Sequence, residues 1–296
     1  MFPVLFSIGA ISVSSFGVFL AFGFLLGLFL VWRLCRAWDL NEEKVLDLTL
    51  LTFVGGLIGA RVYFAVSNWQ FFASSPLSLI LINKVPGFSF WGGILGGWLT
   101  LFYLARRYKM NFWQLADIAV VGLLGGLVLS DIGCFLGGCN SGSVSKTFIA
   151  VSQAGLIGKR WPVQIMEAFL LWMSLMKVWS KALHFHQTGK IASLGFIYIG
   201  VIRLILEPLR QDHSGVFFSA VLFILGLTIY FRVTKQDPVT YFKSVIKVGT
   251  GVFTDATVRT RVVQNIRQSW YNQKTVVSWK ARNLKKLLRR SNVKLS

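Results

Sequence analysis

Six ionisable residues stand inside runs of apolar sequence: Arg61, Asp117, Asp131, Glu167, Arg203 and Glu207. Charged groups at membrane depth are costly, so they face a bundle interior or a watery cavity. Arg203 and Glu207 are four apart, a spacing that puts both on one helix face. The planar guanidinium of arginine suits phosphate. A carboxyl group whose proton affinity is raised by burial can act as a base. By residue type the set therefore offers phosphate recognition and proton transfer; the alternative is a group of ion pairs that only hold a bundle together. Cys134 and Cys139 lie in the run Gly133-Cys134-Phe135-Leu136-Gly137-Gly138-Cys139-Asn140. Their spacing does not match the usual zinc sites and no further ligand is close in sequence, so no metal site is expected. Two readings stay open for this pair: a disulfide, or two small residues that allow tight packing, the second being preferred. No nucleophile elbow, P-loop or paired-histidine helix motif is present, and no cofactor is called for.

The elements that must position these groups follow from composition. The 296 residues are 54% hydrophobic and 14% charged, with a mean hydropathy of +0.62. Soluble domains carry about 25% charged residues. A disordered chain is excluded and an ordinary soluble enzyme is disfavoured. A helix needs about 20 apolar residues to cross the hydrocarbon core. Seven such segments are predicted, over 13–32, 48–66, 88–105, 115–136, 163–183, 192–209 and 216–231. The fold class is thus all-α: a polytopic membrane protein of seven transmembrane helices. Pairs such as Gly55-Gly56, Gly92-Gly93, Gly96-Gly97 and Gly125-Gly126 let helix backbones approach closely in lipid. The first segment lacks a basic flank and a clear cleavage site, so it is not read as a signal peptide. Loops after the first, third and fifth segments carry more Lys and Arg than the others, which predicts an outside N-terminus and a cytoplasmic C-terminus. Asp117 then falls toward the inner side, and the other five buried charges toward the outer side.

The net charge of +20 is unevenly placed. Residues 233–296 carry +12, with only Asp237 and Asp255 as acids, and residues 1–232 carry the rest. The chain divides into a transmembrane domain over 1–232 and a basic cytoplasmic tail over 233–296. Within 262–288, Ile266, Trp270, Val277, Leu284, Leu287 and Leu288 trace one helical face, and Arg267, Lys274, Lys280, Arg282, Lys285 and Arg289 the other. This pattern predicts an amphipathic helix on anionic inner-leaflet lipid, against the alternative of a solvated basic tail. A nucleic-acid partner is not expected.

Five motifs in order give the sequence a family resemblance. They are Gly55-Gly56-Leu57-Ile58-Gly59-Ala60-Arg61-Val62-Tyr63; Phe88-Ser89-Phe90-Trp91-Gly92-Gly93; Ser130-Asp131-Ile132-Gly133-Cys134-Phe135-Leu136-Gly137; Pro162-Val163-Gln164-Ile165-Met166-Glu167; and Arg203 to Gln211, with Glu207 and Arg210 between. Over residues 1–232 the chain resembles the prolipoprotein diacylglyceryl transferase family. That family has Ser-Phe-His-Gly-Gly, a signature beginning Gly-Arg-x-Gly-Asn-Phe-x-Asn, Pro-x-Gln-Leu-Tyr-Glu, and Arg-x-x-x-Glu-x-x-Arg-Gln. Here Trp91 stands at the histidine, Asp131 at the signature arginine, and Cys134 and Gly137 at two asparagines.

The resemblance implies a multi-pass enzyme of the bacterial inner membrane. It would move a diacylglyceryl group from phosphatidylglycerol to the lipobox cysteine of a prolipoprotein signal peptide, with glycerol phosphate leaving. The implied catalytic residues are Arg203, Glu207, Glu167 and Asp131, with Arg203 first for the phosphate. The implied substrate-binding residues are Arg61, Trp91, Gly92, Gly93, Gly133, Gln164 and Arg210. Tryptophan takes no proton, so the base role would pass to Glu167, Glu207 or Asp131. The alternative is a non-catalytic or altered-specificity lipid- or signal-peptide-binding protein on the same scaffold. A small transporter is a further class, but the paired halves common there are not visible.

Overall fold

The structure, a computed structural model, describes residues 4–8, 11–73, 87–153, 156–213 and 215–238, with isolated positions between 240 and 271. Residues Met1–Lys235 form one compact unit and Gln236–Ser296 another. The surface helix expected over 262–288 falls outside the described residues apart from isolated positions.

The first unit is helical. In order come α1 (Ser15–Ala37), α2 (Glu42–Ser67), a short α3 (Trp69–Ala73), α4 (Phe90–Arg107), α5 (Phe112–Gly137), α6 (Val163–Ala182), α7 (Lys190–Leu206) and α8 (Val216–Thr234). Two small antiparallel strand pairs accompany them: β1 (Val4–Ile8) with β2 (Ile11–Ser14) before α1, and β3 (Val151–Ser152) with β4 (Lys159–Arg160) between α5 and α6. These pairs are absent from the all-helical sequence reading, because strands this short leave no hydropathy signal. Five helices among the described residues are long and apolar enough to cross a membrane: α1, α2, α5, α8, and α7 taken with the turn that follows it.

Helix starts follow local chemistry. Ser14, Asn41 and Asn111 cap α1, α2 and α5 by accepting from amides of the first turn. Glu42 and Glu43 open α2, where the helix dipole favours negative charge. That polar turn starts α2 six residues before the apolar segment predicted from Leu48. The N-terminus of α7 has no side-chain cap of its own. Asp117 of α5 supplies it: its two oxygens accept from the Gly189 and Ala192 amides, each at 2.6 Å. His186 Nε2 lies 3.7 Å from the same carboxylate. Asp117 is thus a structural anchor between α5 and α7, the role that satisfies orphan helix-terminal amides.

Packing is built for lipid. Large apolar side chains such as Phe22, Phe29, Ile205 and Ile224 are exposed on the helices. Lipid tails are as apolar as leucine, so helix association depends on close packing and hydrogen bonds. The most extensive pairings are α1 with α5, α2 with α4, and α7 with α8. Glycine permits the first two. A Cβ on Gly23 would stand 2.7 Å from the Gly126 carbonyl oxygen. A Cβ on Gly96 would stand 2.6 Å from the Gly55 carbonyl oxygen and 2.8 Å from the Gly59 Cα. Gly97, one position on, has nothing nearer than 3.8 Å.

This contrast sets a test. Gly96→Ala should destabilise the bundle by about 1–3 kcal/mol, the usual range for overpacking, read as a lower thermal unfolding temperature in detergent. Gly97→Ala should be neutral or stabilise by up to about 1 kcal/mol, because alanine is the better helix former. Equal losses at both positions would rule out the close approach as the reason for glycine.

Candidate active site

The site begins where α7 ends. Arg203 sits in the last turn of α7, and a 3-10 turn over Glu207–Leu209 follows, with Pro208 in its first turn. Proline has no amide hydrogen and resists continuation of the α-helix. The chain then runs extended at Arg210. The two arginines converge on Glu167 of α6. Arg203 Nε lies 2.9 Å from Glu167 Oε1, and Arg210 Nη2 donates to Glu167 Oε2. Glu167 is only 1% exposed. Arg210 Nε lies 3.5 Å from Glu207 Oε2. Arg203 and Glu207 are one helical turn apart, yet Arg203 pairs with Glu167 and Glu207 with Arg210.

Aromatic rings complete the arginine's surroundings. The Arg203 guanidinium carbon lies 3.5 Å from the centre of the Phe90 ring and 5.5 Å from that of Trp91. A cation over an aromatic face is attracted by the ring quadrupole. Trp91 stacks in turn on Phe218 of α8, with ring centres 5.3 Å apart. Trp91 therefore forms a wall beside the arginine.

A cavity of about 690 Å³ reaches this cluster. Ser130, Asp131, Cys134, Arg203, Glu207 and Arg210 line one part of it. Val45, Leu48, Leu101 and Leu115 line another, together with glycines of α1, α2, α4 and α5. Its wall on α5 runs from Leu115 to Cys134, a length of roughly 28 Å at the helical rise per residue. The shape is a long apolar shaft with a charged end. Asp131 is buried within electrostatic range of Glu167, Arg203 and Arg210, and its Oδ2 has no hydrogen-bond partner among the described residues.

The other residues singled out by sequence take varied places. Gly93 and Trp91 line the cavity, whereas Arg61, Gly92, Gly133, Gln164 and Glu167 do not. Arg61 donates from Nη1 to the Gly87 carbonyl at 2.9 Å and lies among the rings of Phe64, Phe72 and Phe88. Gly92 packs against the Gly59 carbonyl, and Gly133 against Phe19 of α1. Gln164 donates from Nε2 to the Cys139 carbonyl at 2.7 Å and accepts from Gln153 at 3.3 Å. Cys134 and Cys139 are joined as a disulfide, which corrects the preference for simple small-residue packing. The intervening turn at Gly138, with a positive φ of 78°, brings the two sulfurs together. Sequence reasoning did not single out Arg160. It is buried and donates from Nη1 to the Gly142 carbonyl at 3.0 Å and to Gln211 Oε1 at 2.8 Å. These bonds tie the segment after α5 to the chain beyond Arg210. No motif flags Arg160, because its partners are distant in sequence.

Comparison with known proteins gives this geometry a family. The model of the prolipoprotein diacylglyceryl transferase family matches residues 3–232. The chain is 34% identical over 145 residues to the phosphatidylglycerol–prolipoprotein diacylglyceryl transferase of Deinococcus radiodurans, an alignment covering 48% of this chain and 43% of that protein. It is 26% identical over 259 residues to the enzyme of that name from Staphylococcus haemolyticus, covering 81% of this chain and 91% of the relative. It is 28% identical over 241 residues to phosphatidylglycerol–prolipoprotein diacylglyceryl transferase 2 of Clostridium perfringens, covering 77% and 93%. A helical bundle with apolar spans, a buried arginine pair and a family match over most of its length leave one assignment: the chain belongs to the prolipoprotein diacylglyceryl transferase family.

Proposed function

We propose that this chain transfers the diacylglyceryl group of phosphatidylglycerol to the lipobox cysteine thiol of a prolipoprotein. The carrying observation is the cavity: an apolar shaft that ends at Arg203 and Arg210. Acyl chains fit the shaft, and the phosphodiester meets the guanidinium pair. In the reaction a sulfur–carbon bond forms on the glycerol carbon that carries the phosphate. The carbon–oxygen bond breaks and glycerol phosphate leaves. Developing charge on that phosphate is met by fixed positive groups, the arrangement that lowers such barriers. Glu167 acts as a positioning residue: it lies off the cavity and holds both arginines. Glu207 makes the longer contact to Arg210, so an arriving phosphate competes for that guanidinium.

Asp131 takes the role of proton acceptor. It lines the cavity, and its Oδ2 is buried without a hydrogen-bond partner among the described residues. A thiol must become a thiolate to attack. Trp91 supplies a cation–π wall for Arg203 in place of a base.

The proposed topology has seven crossings, with α4 and α6 included because they pack against the spans α2 and α5. The N-terminus is outside, the C-terminus is cytoplasmic, and the membrane is the bacterial inner membrane. The Cys134–Cys139 disulfide at the end of α5 supports this orientation, since disulfides persist on the oxidising side. Residues 1–232 are the transferase domain. Residues 233–296 are a basic tail that adheres to anionic inner-leaflet lipid, at roughly 1 kcal/mol per Lys or Arg near the surface.

Purified protein, phosphatidylglycerol and a lipobox peptide should yield a thioether-linked diacylglyceryl peptide by mass spectrometry. No product, while a conventional family member works in parallel, would defeat the transferase reading. Arg203→Ala should lower kcat by about 10²-fold or more, the scale for losing one charge-stabilising group; retained turnover moves the phosphate site elsewhere. Asp131→Asn should lower kcat by about 10²–10⁴-fold, the range for general base loss, with a smaller change in KM; unchanged kcat removes Asp131 as the acceptor. Deleting residues 233–296 should leave membrane insertion intact and weaken binding to anionic vesicles. Unchanged vesicle binding would sink the tail assignment.

A further inference from the structure

The disulfide between Cys134 and Cys139 lies in the wall of the cavity that also holds Asp131, Arg203 and Arg210. The backbone there has supports other than this bond. Gly138 makes the turn, the Cys139 amide donates to the Cys134 carbonyl at 3.0 Å, and Gln164 holds the Cys139 carbonyl at 2.7 Å. These contacts brace the turn in addition to the bond between the sulfurs. The bond also spans only five positions, and a link across a short loop constrains the unfolded chain less than one across a long loop. Its placement is better explained by chemistry than by stability.

The two sulfurs differ in access. Cys134 is buried at 8% exposure, within the last turns of α5, whereas Cys139 is half-buried beyond the helix end. A nucleophile in the cavity reaches Cys139 more readily and displaces Cys134. Asp131 is three residues before Cys134, on the same helix face. The one nucleophile that the transferase reading brings into this cavity is a cysteine thiol.

We propose that Cys134–Cys139 is a thiol-exchange site that captures the acceptor cysteine before transfer. The inference rests on the reading that the cavity receives a peptide thiol. The peptide thiolate attacks Cys139 Sγ. A new S–S bond forms between peptide and Cys139, the Cys139–Cys134 bond breaks, and Cys134 leaves as a thiolate. The proton lost by the peptide thiol ends on Cys134. A disulfide is exchanged and none is made, so no oxidant is consumed. Attack by Cys134 on the mixed disulfide reverses the capture and frees the acceptor beside the arginine pair. While captured, the acceptor sulfur is masked and does not attack the lipid. Exchange therefore acts as a reversible hold on the acceptor.

The test uses the full-length protein purified without reductant, with phosphatidylglycerol withheld. After incubation with a lipobox peptide, intact mass under non-reducing conditions should show the gain of one whole peptide. Peptide mapping should place it on Cys139, with one new free thiol at Cys134. Dithiothreitol should remove the adduct, and a peptide with serine at the cysteine position should give none. Cys139→Ser should lose the adduct, as should Cys134→Ser, which has no disulfide to exchange. Glutathione at the same concentration distinguishes the thiol's source. A severalfold higher yield with the peptide supports acceptor capture, and an equal yield assigns the site to small thiols and overturns it. No adduct with either thiol also overturns it. The transfer assay is run separately: turnover without an adduct removes the capture alone, and an adduct without turnover removes the transferase reading.

Discussion

Glu167 is the anion on which two buried arginines depend. Removing one partner from such a group leaves an uncompensated charge, which costs about 3–5 kcal/mol. The constraint is geometric as well as energetic. Meeting Arg203 and Arg210 together fixes α6 against α7 and against the chain after Pro208. Arg203, so held, presents its guanidinium to Phe90 and Trp91 and thereby sets α4. Three residues before Glu167, on the same face of α6, Gln164 grips the Cys139 carbonyl and ties in the end of α5. One turn of one helix thus organises the charged end of the cavity.

The remaining architecture keeps space open beside that end. Glycines bring α1 onto α5 and α2 onto α4 at backbone contact, while apolar side chains face outward. The cavity runs between these tightly paired units rather than through a loosely packed core. A lipid-shaped space follows: an apolar length bounded by small, aliphatic and aromatic residues, and a polar end bounded by charges from α5, α7 and the turn beyond it. At the opposite end of α5, Asp117 caps α7 through the Gly189 and Ala192 amides. Two carboxylates of one helix therefore do different work, because one meets amides and the other meets a cavity.

Much of this was legible in the chain. Hydropathy marks the helices, since an apolar run of membrane length leaves few other folds. It misplaces their ends: α2 begins at Glu42, where Asn41 and two acids form a polar first turn that an apolar window ignores. The motif residues Arg203, Glu207, Arg210 and Asp131 do meet at one cavity. Arg61, named with them for its charge, sits apart among three phenylalanine rings. Charge and spacing show which residues are costly to bury, but not which neighbour compensates them.

Residue types and their order along the chain settled the helical membrane character, the uneven distribution of charge and the family. These are properties of short segments, and short-range spacing carries them. Folding in three dimensions assigned the partners. Arg203 goes to Glu167 rather than to Glu207, Asp117 goes to amides 72 and 75 positions away, and Cys134 bonds to Cys139 across a left-handed glycine turn. The reason is that a buried charge or an orphan amide is satisfied by whatever group the packed helices bring within reach. That reach depends on helix crossings set by glycine contacts, which no local spacing encodes.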